Sequence, residues 1–318
     1  MYVVLLSGGA SSRLWPLSSP KNNKQFAKLF KNNNNEYESL LQRNYKLINN
    51  HCINASIIIA ATSDHVPFIC EQIKDEIIIS EEPCIKDTFP AILLSCCYIK
   101  DVLQAKTDEA IIVSPVDSYA DGTFFSVFNQ IENHILQKDA NLWLCGISPS
   151  YNTESFGYIL TETDSNVSSV KKFIEKPNEN LAKKIISEGA LWNSGVFGFS
   201  LKYILDKGHE IINFDNYFDL KEKYDKLKKI SFDYAICEKE TSIKVIKYEG
   251  VWDDLGTWDR LTNAINENSL GNVELLGKAN NSTIINLTSS KISLNDIENT
   301  LVVVTEDGIL ISAKKSML

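Results

Sequence analysis

Histidine is scarce in this chain, with four in 318 residues. His51, His65, His134 and His209 stand in none of the motifs described below, so each reads as a structural or surface side chain. No run approaches the roughly 18 consecutive apolar residues of a membrane-spanning helix. No charged segment followed by an apolar one opens the chain, so no signal peptide is expected. No C-x-x-C spacing occurs among the seven cysteines, which argues against a zinc site. Their odd number and their place in apolar runs such as "LLSCCYI" predict buried, reduced thiols in a cytoplasmic protein. Basic charge is also in deficit: the net charge is −9, and no basic face is visible for a nucleic-acid polymer. Neither a G-x-x-x-x-G-K-[ST] loop nor a G-x-G-x-x-G fingerprint is present.

What the chain does contain is enough apolar material for a core. Hydrophobic residues make up 44% and charged residues 23%, ordinary values for a globular protein. The length suits two domains, or one large domain with a small one. Continuous apolar runs at Tyr2–Leu6, Ala55–Ala61, Glu76–Ile79, Ala110–Ser114, Leu142–Ile147, Tyr158–Thr161 and Val170–Ile174 read as strands. Helical patterns fall between them, near 36–48, 64–74, 88–104, 122–137 and 179–188. That alternation predicts an α/β core with a mostly parallel mixed sheet between helices. Ligands of such folds sit at the carboxyl ends of strands. From about residue 268 the helical period is lost. Short β-like runs broken by Asn, Ser, Asp and Gly predict a small all-β appendage over 268–318, built as stacked turns or a short β-helix piece. Its short exposed strands offer a surface for a homodimer.

The segment "LSGGASSRLWPLSSPKNNKQF", residues 6–26, concentrates the chemistry. A strand gives way to a loop of small residues whose backbone N–H groups suit phosphate oxygens. Arg13 adds a planar fork and Lys24 a mobile point charge. Residues 1–30 hold Arg13, Lys21, Lys24 and Lys28 and no acid, which fits a small anionic ligand. Two carboxylates have the setting of metal ligands. Asp117 ends the run "AIIVSPVD", and Asp254 lies in "VWDDLGTW" before a helix start, with Asp253 as a rival better suited to an N-cap or to solvent.

The same segment resembles the signature of the sugar-1-phosphate nucleotidyltransferases, most closely their mannose-1-phosphate guanylyltransferase branch. That branch reads G-G-x-G-x-R-L-W-P-L-S-R and then P-K-Q-F. Gly8, Gly9, Arg13, Leu14, Trp15, Pro16, Leu17, Ser18, Lys24, Gln25 and Phe26 match it. "EEPCIKDTFPAI", "SPVDSYA", "FGYI", "FIEKP", "LWNSGVFGF", "FDYAICEK" and "VWDDLGTW" follow in the family's order, so the resemblance spans about residues 1–265. Ser11, Ser19, Asn23, Lys86-Asp87 and Ser118 depart from the family pattern. The loop change at Ser11 bears on phosphate geometry, and Asp87 bears on the choice of base.

The resemblance implies a Rossmann-like nucleotidyltransferase core over 1–267. It implies guanylyl transfer from GTP to mannose 1-phosphate, giving GDP-mannose and pyrophosphate. Arg13 and Lys24 would act on the triphosphate. Leu6, Gly8, Gly9, Asp87 and Thr88 would bind the nucleotide. Gly157, Glu175, Lys176 and Asn193 would bind the sugar phosphate, and Asp117 with Asp254 would hold Mg²⁺. Longer members of the branch carry an isomerase domain after this core, so a chain ending at Leu318 is expected to have transferase activity alone. Heptose or glucose 1-phosphate would need only small pocket changes. A metal-dependent glycosyltransferase would show an Asp-x-Asp motif, which "SPVDS" lacks. A sugar-nucleotide sensor would have lost a phosphate cation or a metal acid, and all of these are present.

Overall fold

The computed structural model describes residues 1–8, 13–19 and 23–314. Gly9, Ser11 and Lys21 lie outside the described residues. The chain divides into two compact units. Unit 1 is Met1–Gly8, Asn44–Val116 and Ala120–Trp252. Unit 2 is Gly9–Arg43, Asp117–Tyr119 and Asp253–Leu318.

Unit 1 is built on a nine-stranded sheet. Its order is Ile78–Glu82, Ser56–Thr62, Tyr2–Leu6, Ala110–Pro115, Leu191–Ser200, Leu142–Ile147, Ile243–Tyr248, Val167–Ile174 and Tyr158–Thr161. The first four strands are parallel, with Val4 opposite Ile58 on one side and Val113 on the other. Leu191–Ser200 then runs antiparallel to both of its neighbours. The sheet is therefore mixed, with a parallel half that carries the first strand and its loop.

Ala110–Ser114 is buried at every position, because both faces of the strand are covered. Ile111 and Val113 pack in one cluster with Phe89, Ile92, Leu93 and Cys96 of the helix Thr88–Asp101. That helix is apolar nearly all round, as a helix enclosed by the core should be. Ile112 points the other way. Beside it lies Gly198, where a Cβ would run into Ile131 of the helix Gly122–Gln137. The period of two along the strand thus assigns one helix to each face.

Most strands fall where the apolar runs predict them, and Leu142–Ile147 and Tyr158–Thr161 agree to the residue. The strand expected at Glu76–Ile79 lies at Ile78–Glu82 instead. Its polar end, Glu81 and Glu82, pairs with Ala61 and Thr62, so ladder geometry outweighs composition there. Val167–Ile174 begins three residues earlier than its apolar run, carried by pairing of Val167 with Ile246.

In unit 2, residues from Ser269 onward form short strands stacked in parallel. Ser269 faces Ile284, Thr283 faces Leu301 and Val273 faces Ile292, so the chain climbs one layer in 15, 18 or 19 residues. Asn281 donates its side-chain amide to Asn299, 18 residues on, at 2.8 Å. The strand Gly308–Ala313 closes the stack as an antiparallel edge. These residues, read from the sequence as an appendage, share a core with the signature segment. Leu14, Leu17, Leu29, Phe30 and Leu40 pack with Leu270, Ile285, Leu301 and Val303, along with Leu255, Leu261 and Ile265 of this unit. No helix among the described residues is long and apolar enough to cross a membrane.

Candidate active site

In unit 2 the chain draws one cation and two acids to a point. Lys24 opens a single 3₁₀ turn, Lys24–Phe26, and is only 3% exposed. Its Nζ stands 3.0 Å from Asp117 Oδ2 and 3.4 Å from Asp254 Oδ1. Burial works to lower the pKa of this lysine, but the Asp117 and Asp254 charges and hydrogen bonds outweigh it and hold the ammonium above its ordinary value. Lys24 is therefore charged throughout the neutral range. The short strands Ser118–Ala120 and Trp252–Asp254 pair, with Asp117 immediately before the first and Asp254 ending the second.

Of the two places read for Asp253, an N-cap or solvent, the N-cap is not taken and the side chain is 39% exposed. The helix begins at Trp258 with Thr257 before it, and Asp253 instead lies 3.7 Å from Arg260 Nη1. Burial first, and the Asp254 charge next, push its carboxyl up to about 6. Arg13 is not part of the Lys24 triad. Its Nη2 lies against Gly256, which also borders Asp254, and it lines a cleft of about 310 Å³ with Trp258 and Lys314. Among the described residues no three His, Cys, Asp or Glu side chains converge as a metal cage. Asp117 and Asp254 offer two hard carboxylates at one point. That donor set suits a cation such as Mg²⁺, which fills its shell from phosphates and water.

Unit 1 holds the beginning of the glycine loop. Leu6 ends the first strand, its carbonyl accepting from Val116 N at 3.1 Å. Gly8 follows, and a Cβ there would sit a tight 3.0 Å from Glu82 Oε1, where the carboxylate approaches the backbone. Glu82 is 5% exposed and accepts from Tyr224 Oη at 2.8 Å. Burial, with a smaller push from the Asp87 charge, raises its pKa despite that hydrogen bond. Asp87, at φ 73°, is the N-cap of the helix Thr88–Asp101, and its Oδ1 accepts from Thr88 N at 2.8 Å. Thr88 Oγ1 in turn accepts from Phe232 N at 2.8 Å. The Asp87 carboxylate thus already has a backbone partner.

A second cluster in unit 1 unites the four residues assigned to the sugar phosphate. Asn193 N donates to Gly157 O at 2.8 Å across adjacent strands. A Cβ on Gly157 would lie 2.5 Å from Glu175 Oε2 and 3.4 Å from Asn193 Cβ, so the glycine is what lets the three converge. Glu175 is 9% exposed. Lys176 Nζ donates to Glu175 Oε1 at 2.7 Å, and Glu175 N donates to Glu238 Oε1 at 3.2 Å. Asn193 Nδ2 donates to Asp233 Oδ1 at 2.9 Å. Asp233 opens a π-helical turn, Asp233–Cys237. Burial, and then the Glu175 charge, push its carboxyl up to about 7, against a smaller pull from Lys176.

Sequence reasoning alone does not single out Glu82 or Asp233. Both lie inside recognised motifs, "EEPCIKDTFPAI" and "FDYAICEK". Nothing in their spacing shows which acid turns inward, and a π turn has no sequence period of its own.

A mixed α/β sheet, a buried lysine paired with two acids and a polar cluster around Glu175 and Asn193 place the chain among α/β proteins with charged sites. The model of the nucleotidyl transferase family matches residues 2–269. Mannose-1-phosphate guanylyltransferase of Escherichia coli is 28% identical over 346 residues, covering 99% of this chain and 73% of the relative. Alginate biosynthesis protein AlgA of Pseudomonas aeruginosa is 26% identical over 343 residues, covering 99% of this chain and 69% of the relative. Among solved structures, mannose-1-phosphate geranyltransferase from Thermus thermophilus shares the fold with a TM-score of 0.80 at 23% identity, over 98% of this chain and 94% of that one. This chain belongs to the nucleotidyl transferase family. Membership makes it an enzyme of nucleotidyl transfer, with a nucleotide and a sugar phosphate as substrates.

Proposed function

We propose that the enzyme transfers a guanylyl group from GTP to mannose 1-phosphate, giving GDP-mannose and pyrophosphate. The observation that carries this reading is Lys24, buried and kept charged by Asp117 and Asp254, inside a segment shared with guanylyltransferases. A sugar-phosphate oxygen attacks the α-phosphorus of the triphosphate in line, and the bond to pyrophosphate breaks. The nucleophile needs no base, because the second pKa of a phosphate monoester is about 6. This accords with the absence of histidine from every motif. The protein's task is alignment and charge stabilisation.

Lys24 and Arg13 stabilise the triphosphate and the leaving pyrophosphate. Lys176 holds the sugar phosphate, and Glu175 with Asn193 binds sugar hydroxyls. Leu6, Gly8, Gly9, Asp87 and Thr88 hold the nucleotide. Asp117 and Asp254 would hold Mg²⁺, which when bound offsets phosphate charge. Seven free thiols, five of them buried, suit a reducing compartment such as the cytoplasm.

The test is pyrophosphate release in Mg²⁺ over a grid of GTP, ATP, CTP and UTP against mannose, glucose and heptose 1-phosphates. Turnover concentrated in the GTP and mannose 1-phosphate cell is the expected result. A different single active cell would reassign base or sugar within the same reaction. A grid without turnover, from protein that still binds GDP-mannose, would replace the enzyme with a sensor.

A further inference from the structure

We propose that Asp233 is a positioning residue of the sugar pocket, fixing the carboxamide of Asn193 in one orientation toward the substrate. The inference rests on the sugar-phosphate reading of that cluster. A carboxamide can be rotated end for end at little intrinsic cost, and the two orientations show a sugar opposite hydrogen-bonding faces. Here both ends are held. Asn193 Oδ1 accepts from Gly195 N at 3.2 Å, and Nδ2 donates to Asp233 Oδ1 at 2.9 Å. The Gly195 N–H can only donate and so turns Oδ1 toward itself, and Asp233 Oδ1 accepts from the Nδ2 left on the other side, so the two partners agree on one orientation. What remains for the substrate is one N–H and one lone pair, at places set by the protein before binding. Preorganisation of this kind raises affinity by removing an ordering cost.

Asp233 is itself held firmly. The residue before it, Phe232, donates its N–H to Thr88 Oγ1 at 2.8 Å, and Tyr234 N donates to Ser231 Oγ at 3.3 Å. Glu238 N reaches back to Asp233 O at 3.0 Å, closing the wide π turn. Turns of this type in helices cluster at functional sites. The acid also stands beside Glu175, so its retention works against electrostatic stability.

The experiment is calorimetric binding of GDP and of GDP-mannose to wild type, Asp233→Ala and Asp233→Asn, with melting curves for each. Asp233→Ala should weaken GDP-mannose at least tenfold and leave GDP within twofold. Asp233→Asn, whose amide oxygen still accepts from Asn193, should recover most of that loss. In turnover, KM for the sugar phosphate should rise while KM for the nucleotide stays. If Asp233→Ala does not fold, Asp233→Ser, too short to reach Asn193, takes its place. Equal weakening of both ligands, or of neither, overturns the proposal. Wild type that binds GDP and GDP-mannose equally would overturn the sugar reading beneath it, a result visible before any variant is made.

Discussion

Lys24 shows how a buried cation depends on the acids around it. Its stem is buried, and the two carboxylates beside it outweigh that burial and hold the ammonium above its ordinary pKa. Replacing it with methionine keeps the apolar volume and leaves Asp117 and Asp254 facing each other without a counter-charge. Because both acids are partly open to water, the stability cost should be about 1–3 kcal/mol, below that of a fully buried pair. The folded pKa is raised, so the lysine's contribution is complete below about 10.4, its unfolded value, and would be lost only as pH rises through the folded one. The Lys24→Met deficit in melting temperature should therefore be flat from about pH 7.5 to 9, above the titration of Asp253 near 6. A deficit that grows steadily over that range would show that Lys24 is not held in its charged form. Gly157 offers a second test at this scale. A methyl group there must displace the Glu175 carboxylate, so Gly157→Ala should raise KM for the sugar phosphate several-fold with little change in KM for the nucleotide.

At the scale of single elements, the helix Gly122–Gln137 was legible to the residue because its start signal and its period agree. Asp121 caps it, accepting from Thr123 N at 2.9 Å and from Tyr248 Oη at 2.7 Å. Burial alone would raise this acid, but hydrogen bonds from Thr123, Tyr248 and Val251 N outweigh it and lower its pKa. A lowered folded pKa means stability that is present above the unfolded value and lost as pH falls through the folded one. Asp121→Ala should cost about 1–2 kcal/mol at neutral pH, measured by urea denaturation. That cost should shrink below about pH 4. The π turn at Asp233 is the opposite case. Its wide i→i+5 bond, Glu238 N to Asp233 O, lies beside a long-range bond from Phe232 N to Thr88 Oγ1, and no local propensity predicts it. The polar end of Ile78–Glu82 is likewise not legible, since its place in the sheet comes from pairing with a separate parallel strand.

At the scale of the whole chain, unit 2 is assembled from three separated segments. Its last segment is not dispensable to the first. Ser19 Oγ donates to Asp307 Oδ2 at 2.8 Å, and Thr305 Oγ1 donates to Pro16 O at 3.3 Å. Leu270, Ile285, Leu301 and Val303, all 5% exposed or less, share one core with Leu14 and Leu17. At about 1.5–3 kcal/mol for each buried side chain, removing these four forfeits roughly 6–12 kcal/mol. That is comparable with the entire net stability of a domain, about 5–15 kcal/mol. A chain truncated after residue 267 should therefore lose cooperative unfolding in unit 2 and become poorly soluble. A sharp, wild-type-like melt from the truncated chain would show that the β stack is an independent appendage after all.

The amino-acid pattern by itself determined the class of the fold, most strand and helix positions, and the ordered motifs that name the chemistry. It could do so because burial on both faces of a parallel strand, helix caps and short recognition loops are all local in sequence. Tertiary structure decided which acids meet. Asp254 reaches Lys24 across 230 residues, Asp117 joins them from a third segment, and Asn193 reaches Asp233 across 40. It also decided that the β stack completes the core beneath the signature segment. These are pairings between distant parts of the chain, set by the three-dimensional path of the backbone. No local spacing encodes them.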